Sequence, residues 1–276
     1  MLELKNGLFL KLRDLVYEHS GMYFDERKEY FFARRVEQRL DETGSIDAMD
    51  YYRLLRYGDE GASEIQALVE SLTTNETYFF REYPQLQTFA DVILPECLER
   101  KRETRDRHLR VWSAGCSTGE EPYTLAIILR EMIEDFDRWQ ITLTATDISR
   151  AALRTARGAL YGERSVKDVP TPYRQRYLRP ERGAFRVVPE IRQMVTFRHG
   201  NLMDSSMVSQ MESLDFIFCR NVLIYFDDAS RRRVVDSLYD ALRPGGYIFL
   251  GHSESVGRIT SAFRLVRRGE SLVYMK

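Results

Sequence analysis

Residues 109–123, LRVWSAGCSTGEEPY, constrain the chain more than any other stretch. Leu109, Val111 and Trp112 read as a short buried strand, and 113–119 as a turn of small residues. From Pro122 the apolar positions Leu125, Ile128, Leu129 and Met132 recur with helical spacing. A strand, a glycine-bearing turn and a helix in that order open an α/β sheet. In such sheets ligands bind outside the carboxyl ends of the strands, where glycines let them approach the backbone. The alternation continues downstream. Strands are expected at 141–145, 214–219 and 247–250, with helices at 149–160 and 229–242, the latter stopped by Pro244, Gly245 and Gly246. Residues 186–188 and 194–197 look like strands around 189–193, a small hairpin excursion from the main sheet. The tail, FRLVRRGESLVYMK, reads as two strands around Arg268 and Gly269, an antiparallel hairpin closing the sheet. The fold class is therefore α/β, a mostly parallel sheet with a terminal antiparallel hairpin.

Residues 1–75 carry no strand signal. Leu8, Leu12, Leu15 and Val16 mark one amphipathic helix, and 27–40, 47–57 and 63–72 three more, separated by glycines. In the second, Arg27 and Arg34 lie seven apart, as do Lys28 and Arg35, with Arg39 four further on, so these cations form a stripe. The stripe is local, because residues 1–75 hold ten Lys/Arg against fifteen Asp/Glu. It reads as a solvated face or as a docking face for an acidic partner. Residues 71–82, SLTTNETYFFRE, join this part to the sheet; 84–97 looks helical and 99–110 is a charged connector. The change from helices to alternating elements falls near residue 80.

A net charge of −1 gives no global electrostatic case for nucleic acid or membrane. Cys97, Cys116 and Cys219 lack metal or redox spacing, which predicts reduced thiols in a cytoplasmic setting. Four scattered histidines predict no metal site, and no run approaches the roughly 18 apolar residues of a membrane-spanning helix.

The turn ends in Glu120 and Glu121, where a phosphate-binding loop would present bare N–H groups or a lysine. Two carboxylates there repel a pyrophosphate and suit a neutral or cationic ligand. S-adenosylmethionine, with a sulfonium, an ammonium and no phosphate, is the first candidate. Asp147, at the expected end of the second strand and 28 residues after Gly119, could accept hydrogen bonds from both ribose hydroxyls or could cap the next helix. Asn75, Thr77, Arg81, Asn201, Arg220 and Asn221 add polar groups at the same expected rim, and Arg81 can hold a carboxylate bidentately. Residues 115–119, GCSTG, also match a G-x-S-x-G nucleophile elbow, with His252 and Asp215 or Asp227 in triad order. Against that serine-hydrolase reading, Glu120 and Glu121 would oppose the charge an oxyanion hole stabilises.

TNETYFFRE, WSAGCSTGEEPY, ATDIS, HGNL, DFIFCRNVLIYF and LRPGGYIFLGHSES, in this order, resemble the CheR chemotaxis receptor methyltransferases over nearly the whole chain. The resemblance implies a protein-glutamate O-methyltransferase that uses S-adenosylmethionine. It would have a helical receptor-facing domain at 1–75 and a Rossmann-like methyltransferase domain at 76–276, with a β-subdomain at about 184–197. It also implies that Asn75, Thr77, Arg81, Glu121, Asp147, Asn201, Leu202, Arg220 and Asn221 bind the cofactor, and that Arg81 and Tyr225 lie beside the transferred methyl. Arg27, Lys28, Arg34, Arg35 and Arg39 would face the methylation helices of a chemoreceptor, with Arg34 the most firmly aligned. In some members the β-subdomain grips a peptide at the receptor's tail; the loop 179–184 looks shorter here, which predicts independence from that tether. Nucleobase amino-methyltransferases usually carry D/N-P-P-Y/F after the fourth strand, where this chain has Arg220, Asn221, Val222 and Leu223. A nucleic-acid acceptor is therefore not expected. The chain is expected to act as a cytoplasmic monomer, the alternatives being the hydrolase or a non-catalytic receptor-binding module.

Overall fold

The computed structural model of the chain describes Leu4 and residues 7–276, and these divide into two units. The first residues of the expected helical region, 1–3, 5 and 6, lie outside the described residues. One unit comprises the described residues up to Thr74 together with Ile224–Arg231. Its helices are α1 (Leu8–Ser20), α2 (Glu29–Thr43), α3 (Ala48–Tyr57) and α4 (Gly61–Leu72). Gly21 and Gly44 end the first two in the left-handed conformation that glycine adopts without a Cβ penalty. Asp47 caps α3, accepting from the Met49 and Asp50 amides. Leu12, Val16, Phe32, Val36, Tyr51, Leu68 and Val69 fill the interior.

The cationic stripe is divided in this unit. Arg27 and Lys28 sit on a 3-10 turn before α2, and Arg27 pairs with Asp25 at 2.8 Å. Arg34 is exposed, while the Arg35 guanidinium lies 5.2 Å from the Phe31 ring centre. Arg39 turns inward and pairs with Glu64 at 2.6 Å, which also accepts the Tyr51 hydroxyl at 2.6 Å. A buried carboxylate needs a partner, and Arg39 supplies it, so this cation departs from the expected solvent-facing stripe.

The second unit comprises Asn75–Leu223 and Arg232–Lys276. Its strands are β1 (His108–Ala114), β2 (Gln140–Asp147), β3 (Leu160–Tyr161), β4 (Leu178–Glu181), β5 (Ala184–Val187), β6 (Val195–His199), β7 (Leu214–Cys219), β8 (Leu242–Leu250), β9 (Arg264–Arg268) and β10 (Ser271–Met275). Among the described residues seven form one sheet in the order β6-β2-β1-β7-β8-β10-β9. The first five run parallel, and β10 and β9 form the expected antiparallel hairpin. Helices α5 (Tyr83–Thr88), α6 (Leu94–Glu103), α7 (Glu120–Met132), α8 (Arg150–Gly158), α9 (Glu163–Val166), α10 (Thr171–Tyr177), α11 (Pro189–Arg192), α12 (Ser205–Val208) and α13 (Asp228–Ala241) complete the chain.

Two expectations change. The stretch 184–197 is not one hairpin: β5 pairs antiparallel with β3 and β4 in a second small sheet, whereas β6 pairs parallel with β2 at the edge of the main one. Short α11 separates them. The turn between β4 and β5 is the two residues Arg182 and Gly183, both at positive φ, as a tight hairpin turn requires. The charged connector at 99–110 is helical as far as Glu103, continuing α5 through a π-type turn at Phe89–Ile93. That turn seats Phe89 against Phe216, Phe218 and Phe249, ring centres 5.0, 5.2 and 5.5 Å away, which locks the helix onto β7 and β8. At the amino ends of the central strands, Lys101 lies 2.9 Å from Asp215, with side chains 3% and 2% exposed. Lys101 also donates to Asp106 and to the His108 carbonyl.

Candidate functional site

The carboxyl ends of β1 and β2 are stitched together by the turn between β1 and α7. The amides of Gly115 and Cys116 both donate to the Thr146 carbonyl, at 2.8 and 2.9 Å. The next amide, of Ser117, donates to Asp147 Oδ2 at 2.7 Å. Asp147 Oδ1 accepts from the Ser149 amide, and the Gly200 amide donates to the Asp147 carbonyl. Asp147 thus fixes three loops at once, and Ser149 rather than Asp147 caps α8. The two turn glycines are obligatory. A Cβ on Gly115, φ +83°, would lie 2.3 Å from Val222 Cγ2, and one on Gly119, φ +97°, would lie 2.8 Å from Ala156 Cβ.

The two carboxylates at the start of α7 have different environments. Glu120 is buried and accepts from the Thr118 hydroxyl at 2.6 Å; burial pushes its carboxyl above the usual range. It therefore lies under the turn instead of facing a ligand. Glu121 accepts from Ser113 Oγ at 2.7 Å and pairs with Arg220 at 3.3 Å. Burial raises its carboxyl too, and Arg220, then Ser113, work against that rise. Arg220 follows β7 with its side chain 3% exposed. Its Nη2 donates to the Arg81 carbonyl at 2.5 Å and lies 3.3 Å from Glu82, so one buried cation joins the 75–82 segment to α7.

The remaining expected residues divide between the two units. Asn75 Oδ1 accepts from Ser117 Oγ at 3.1 Å. Thr77 is half-buried, and Arg81 donates to the Glu76 carbonyl with its guanidinium 5.9 Å from the Tyr78 ring centre. Asn201 accepts from the Met203 amide just past β6, and Leu202 is buried. Asn221, at φ +61°, donates its amide to Glu254. Arg27, Lys28, Arg34, Arg35, Arg39 and Tyr225 belong to the first unit. Tyr225 both donates to the Thr74 carbonyl, at 2.9 Å, and accepts from the Thr74 amide, at 3.2 Å. Sequence reasoning passed over Glu82, Glu254 and Ser113. Glu82 sits next to Arg81 and Glu254 within GHSES, but nothing local marks either as a partner of the β7 end.

The hydrolase alternative is not assembled. Asp215 lies at the amino end of β7, accepting from the Arg110 amide and pairing with Lys101. Asp227 accepts from the Tyr17 hydroxyl in the first unit, and the Ser117 hydroxyl is given to Asn75. No described acid is hydrogen-bonded to the His252 ring.

The site suits S-adenosylmethionine. From 113 to 121 the turn contains no basic side chain, and α7 carries the Glu121 carboxylate in its first turn, where a pyrophosphate would need bare amides. Arg220 Nε is buried with no hydrogen-bond partner among the described residues, an unpaired donor beside Glu121.

Comparison with known proteins gives the same picture. Residues 75–271 match the family described as CheR methyltransferase, SAM binding domain, and 8–73 the CheR methyltransferase all-alpha domain. The chain is 39% identical to chemotaxis protein methyltransferase 2 of Vibrio cholerae, over 97% of this chain and 92% of that protein. It is 38% identical to chemotaxis protein methyltransferase 2 of Pseudomonas aeruginosa, over 96% and 91%. The Escherichia coli chemotaxis protein methyltransferase is 33% identical over 98% and 91%. A glycine turn closed by Asp147, the Glu121 carboxylate in place of a phosphate cradle, and both family domains in order carry one conclusion: the chain belongs to the CheR family of S-adenosylmethionine-dependent methyltransferases.

Proposed function

We propose that the chain methylates glutamate side chains on the cytoplasmic helices of chemoreceptors, forming methyl esters that serve sensory adaptation. The observation that carries this reading is that the all-α family domain stands in front of the cofactor domain in this chain, whose relatives are named chemotaxis protein methyltransferases. In this reading residues 1–75 face the receptor and 76–276, with the small sheet, carry the transfer, in a cytoplasmic monomer. Asn75, Thr77, Arg81, Glu121, Asp147, Asn201, Leu202, Arg220 and Asn221 would hold S-adenosylmethionine. When bound, that cofactor supplies an electrophilic methyl group on a positively charged sulfur.

A glutamate acceptor, with a pKa of about 4.3, is already anionic at neutral pH, so no residue need act as general base. The chain's task is orientation and exclusion of water. Arg81 would orient the acceptor or the cofactor's carboxylate. Tyr225 would position the acceptor oxygen by exchanging its hydrogen bond to the Thr74 carbonyl. Arg34, with Arg27, Lys28 and Arg35, would meet acidic receptor helices, and Arg39 would hold the surface beneath them. The short β4–β5 turn supports independence from a receptor tail peptide.

The test mixes the protein, methyl-labelled cofactor and chemoreceptor cytoplasmic fragments. Label released as methanol in mild base supports the proposal. Base-stable label would refute it, and so would receptor binding without transfer, the outcome for a docking module.

A further inference from the structure

We propose that Glu254 is a positioning residue for the cofactor site, acting through the Asn221 bend. This rests on the reading of Asn221 as a cofactor residue. The turn after β8, residues 251–254, is closed by the Glu254 amide donating to the Gly251 carbonyl at 2.9 Å. The Glu254 side chain folds back over it, and Oε2 accepts from the Gly251 amide at 2.8 Å and from the Asn221 amide at 2.7 Å. One carboxylate oxygen therefore ties the end of β8 to the end of β7. Its other oxygen, Oε1, is buried with no hydrogen-bond partner among the described residues, so Glu254 does not serve as a surface ion pair.

The bend it holds is a left-handed one. Asn221 has φ +61°, a conformation that asparagine tolerates better than most residues with a side chain, and its neighbours hold it there. It is enclosed from two sides. A Cβ at Gly251 would lie 2.8 Å from both the amide and the side-chain nitrogen of Asn221, and Val222 fills the space against Gly115 of the cofactor turn. Glu82 reinforces the strap, accepting from the His252 amide at 3.3 Å while pairing with Arg220. The bend is thus keyed by Val222 against Gly115 on one side and by Asn221 against Gly251 with Glu254 on the other, and Glu254 supplies the only side-chain acceptor the Asn221 amide has among the described residues. Removing that acceptor leaves two amides unpaired and lets the bend relax.

The experiment measures S-adenosylhomocysteine affinity by calorimetry, well below the unfolding temperature, for wild type, Glu254→Ala, Glu254→Asp, Glu254→Gln and Asn221→Ala. Glu254→Ala is expected to bind at least about tenfold more weakly, and Glu254→Asp, one methylene too short to reach both amides, to lose affinity as well. Glu254→Gln keeps the acceptor and is expected to stay within about threefold of wild type, a rescue that a role resting on the charge would not give. Glu254→Ala should add little in an Asn221→Ala background. Wild-type affinity in both Glu254→Ala and Glu254→Asp, even with a lower Tm, would reduce Glu254 to a turn-holding residue and overturn the inference. If Asn221→Ala alone binds normally, the reading of Asn221 fails, and with it this route for Glu254. If Asn221→Ala is weak while Glu254→Ala and Glu254→Asp are not, only the positioning role fails.

Discussion

Replacing Arg220 with methionine isolates the buried cation that organises the site. The substitution keeps the apolar stem and deletes the charge between Glu121, Glu82 and the Arg81 carbonyl. Breaking a buried pair from one side costs about 3–5 kcal/mol, because the remaining charge is uncompensated. Here the carboxylate's share has a ceiling. Glu121 can take up a proton, and from an ordinary value of 4.5 that costs at most about 3.4 kcal/mol at pH 7 and about 0.7 at pH 5, at 1.36 kcal/mol per pH unit. The lost bond to the Arg81 carbonyl adds about 1–2 kcal/mol at either pH. Arg220→Met should therefore unfold about 3–5 kcal/mol more easily at pH 7, and the deficit should shrink by about 2–3 kcal/mol at pH 5. The sign follows from linkage. A carboxyl whose folded pKa is raised stabilises the fold while protonated and loses that contribution as pH rises above its unfolded value. Thermal melts at both pH values, read as a Tm deficit of about 6–20 °C at pH 7, test this. Adding Glu121→Gln should recover part of the pH 7 loss. A deficit below about 1 kcal/mol, or one equal at both pH values, would refute the reasoning.

Gly115→Ala forces a methyl group into Val222 at positive φ, and should cost about 2–4 kcal/mol and weaken S-adenosylhomocysteine binding at least tenfold by calorimetry. Burial raises the Glu120 carboxyl, so Glu120→Gln should gain stability relative to wild type as pH rises above about 4.5; a difference in Tm that is flat with pH would contradict that. Arg81→Ala and Tyr225→Phe should each slow methyl transfer at least about tenfold, Tyr225→Phe with unchanged cofactor affinity, and wild-type rates in both would overturn their roles. Receptor fragments with and without their tail peptide should be methylated at equal rates, which a direct rate comparison checks.

The strand–turn–helix at 109–123 and the apolar run at 214–219 were legible because each carries its own periodicity and its breakers. The α6 extension was not. Leu94, Cys97 and Leu98 mark a buried face, but the next position on it is Lys101, which reads as solvent-facing until Asp215 is seen 2.9 Å away. Arg39 misleads in the same way, since its place in the cationic stripe says nothing of Glu64, 25 residues later. The small sheet is hidden for another reason. Strands as short as β3 and β4 have no alternation to read and exist through their pairing with β5. In the site, residue types at strand ends were readable, while the clamp of Arg220 across Glu82 and Glu121, and of Glu254 across Gly251 and Asn221, depends on loops far apart in the chain.

Mass-spectrometric mapping of a chemoreceptor cytoplasmic fragment, after incubation with this protein and S-adenosylmethionine, tests the glutamate-transfer proposal most directly. Methyl groups on glutamate side chains that disappear on mild base treatment are the expected result. Methylation confined to nitrogen-bearing side chains, or an unmodified fragment from protein that binds the cofactor normally, would contradict it.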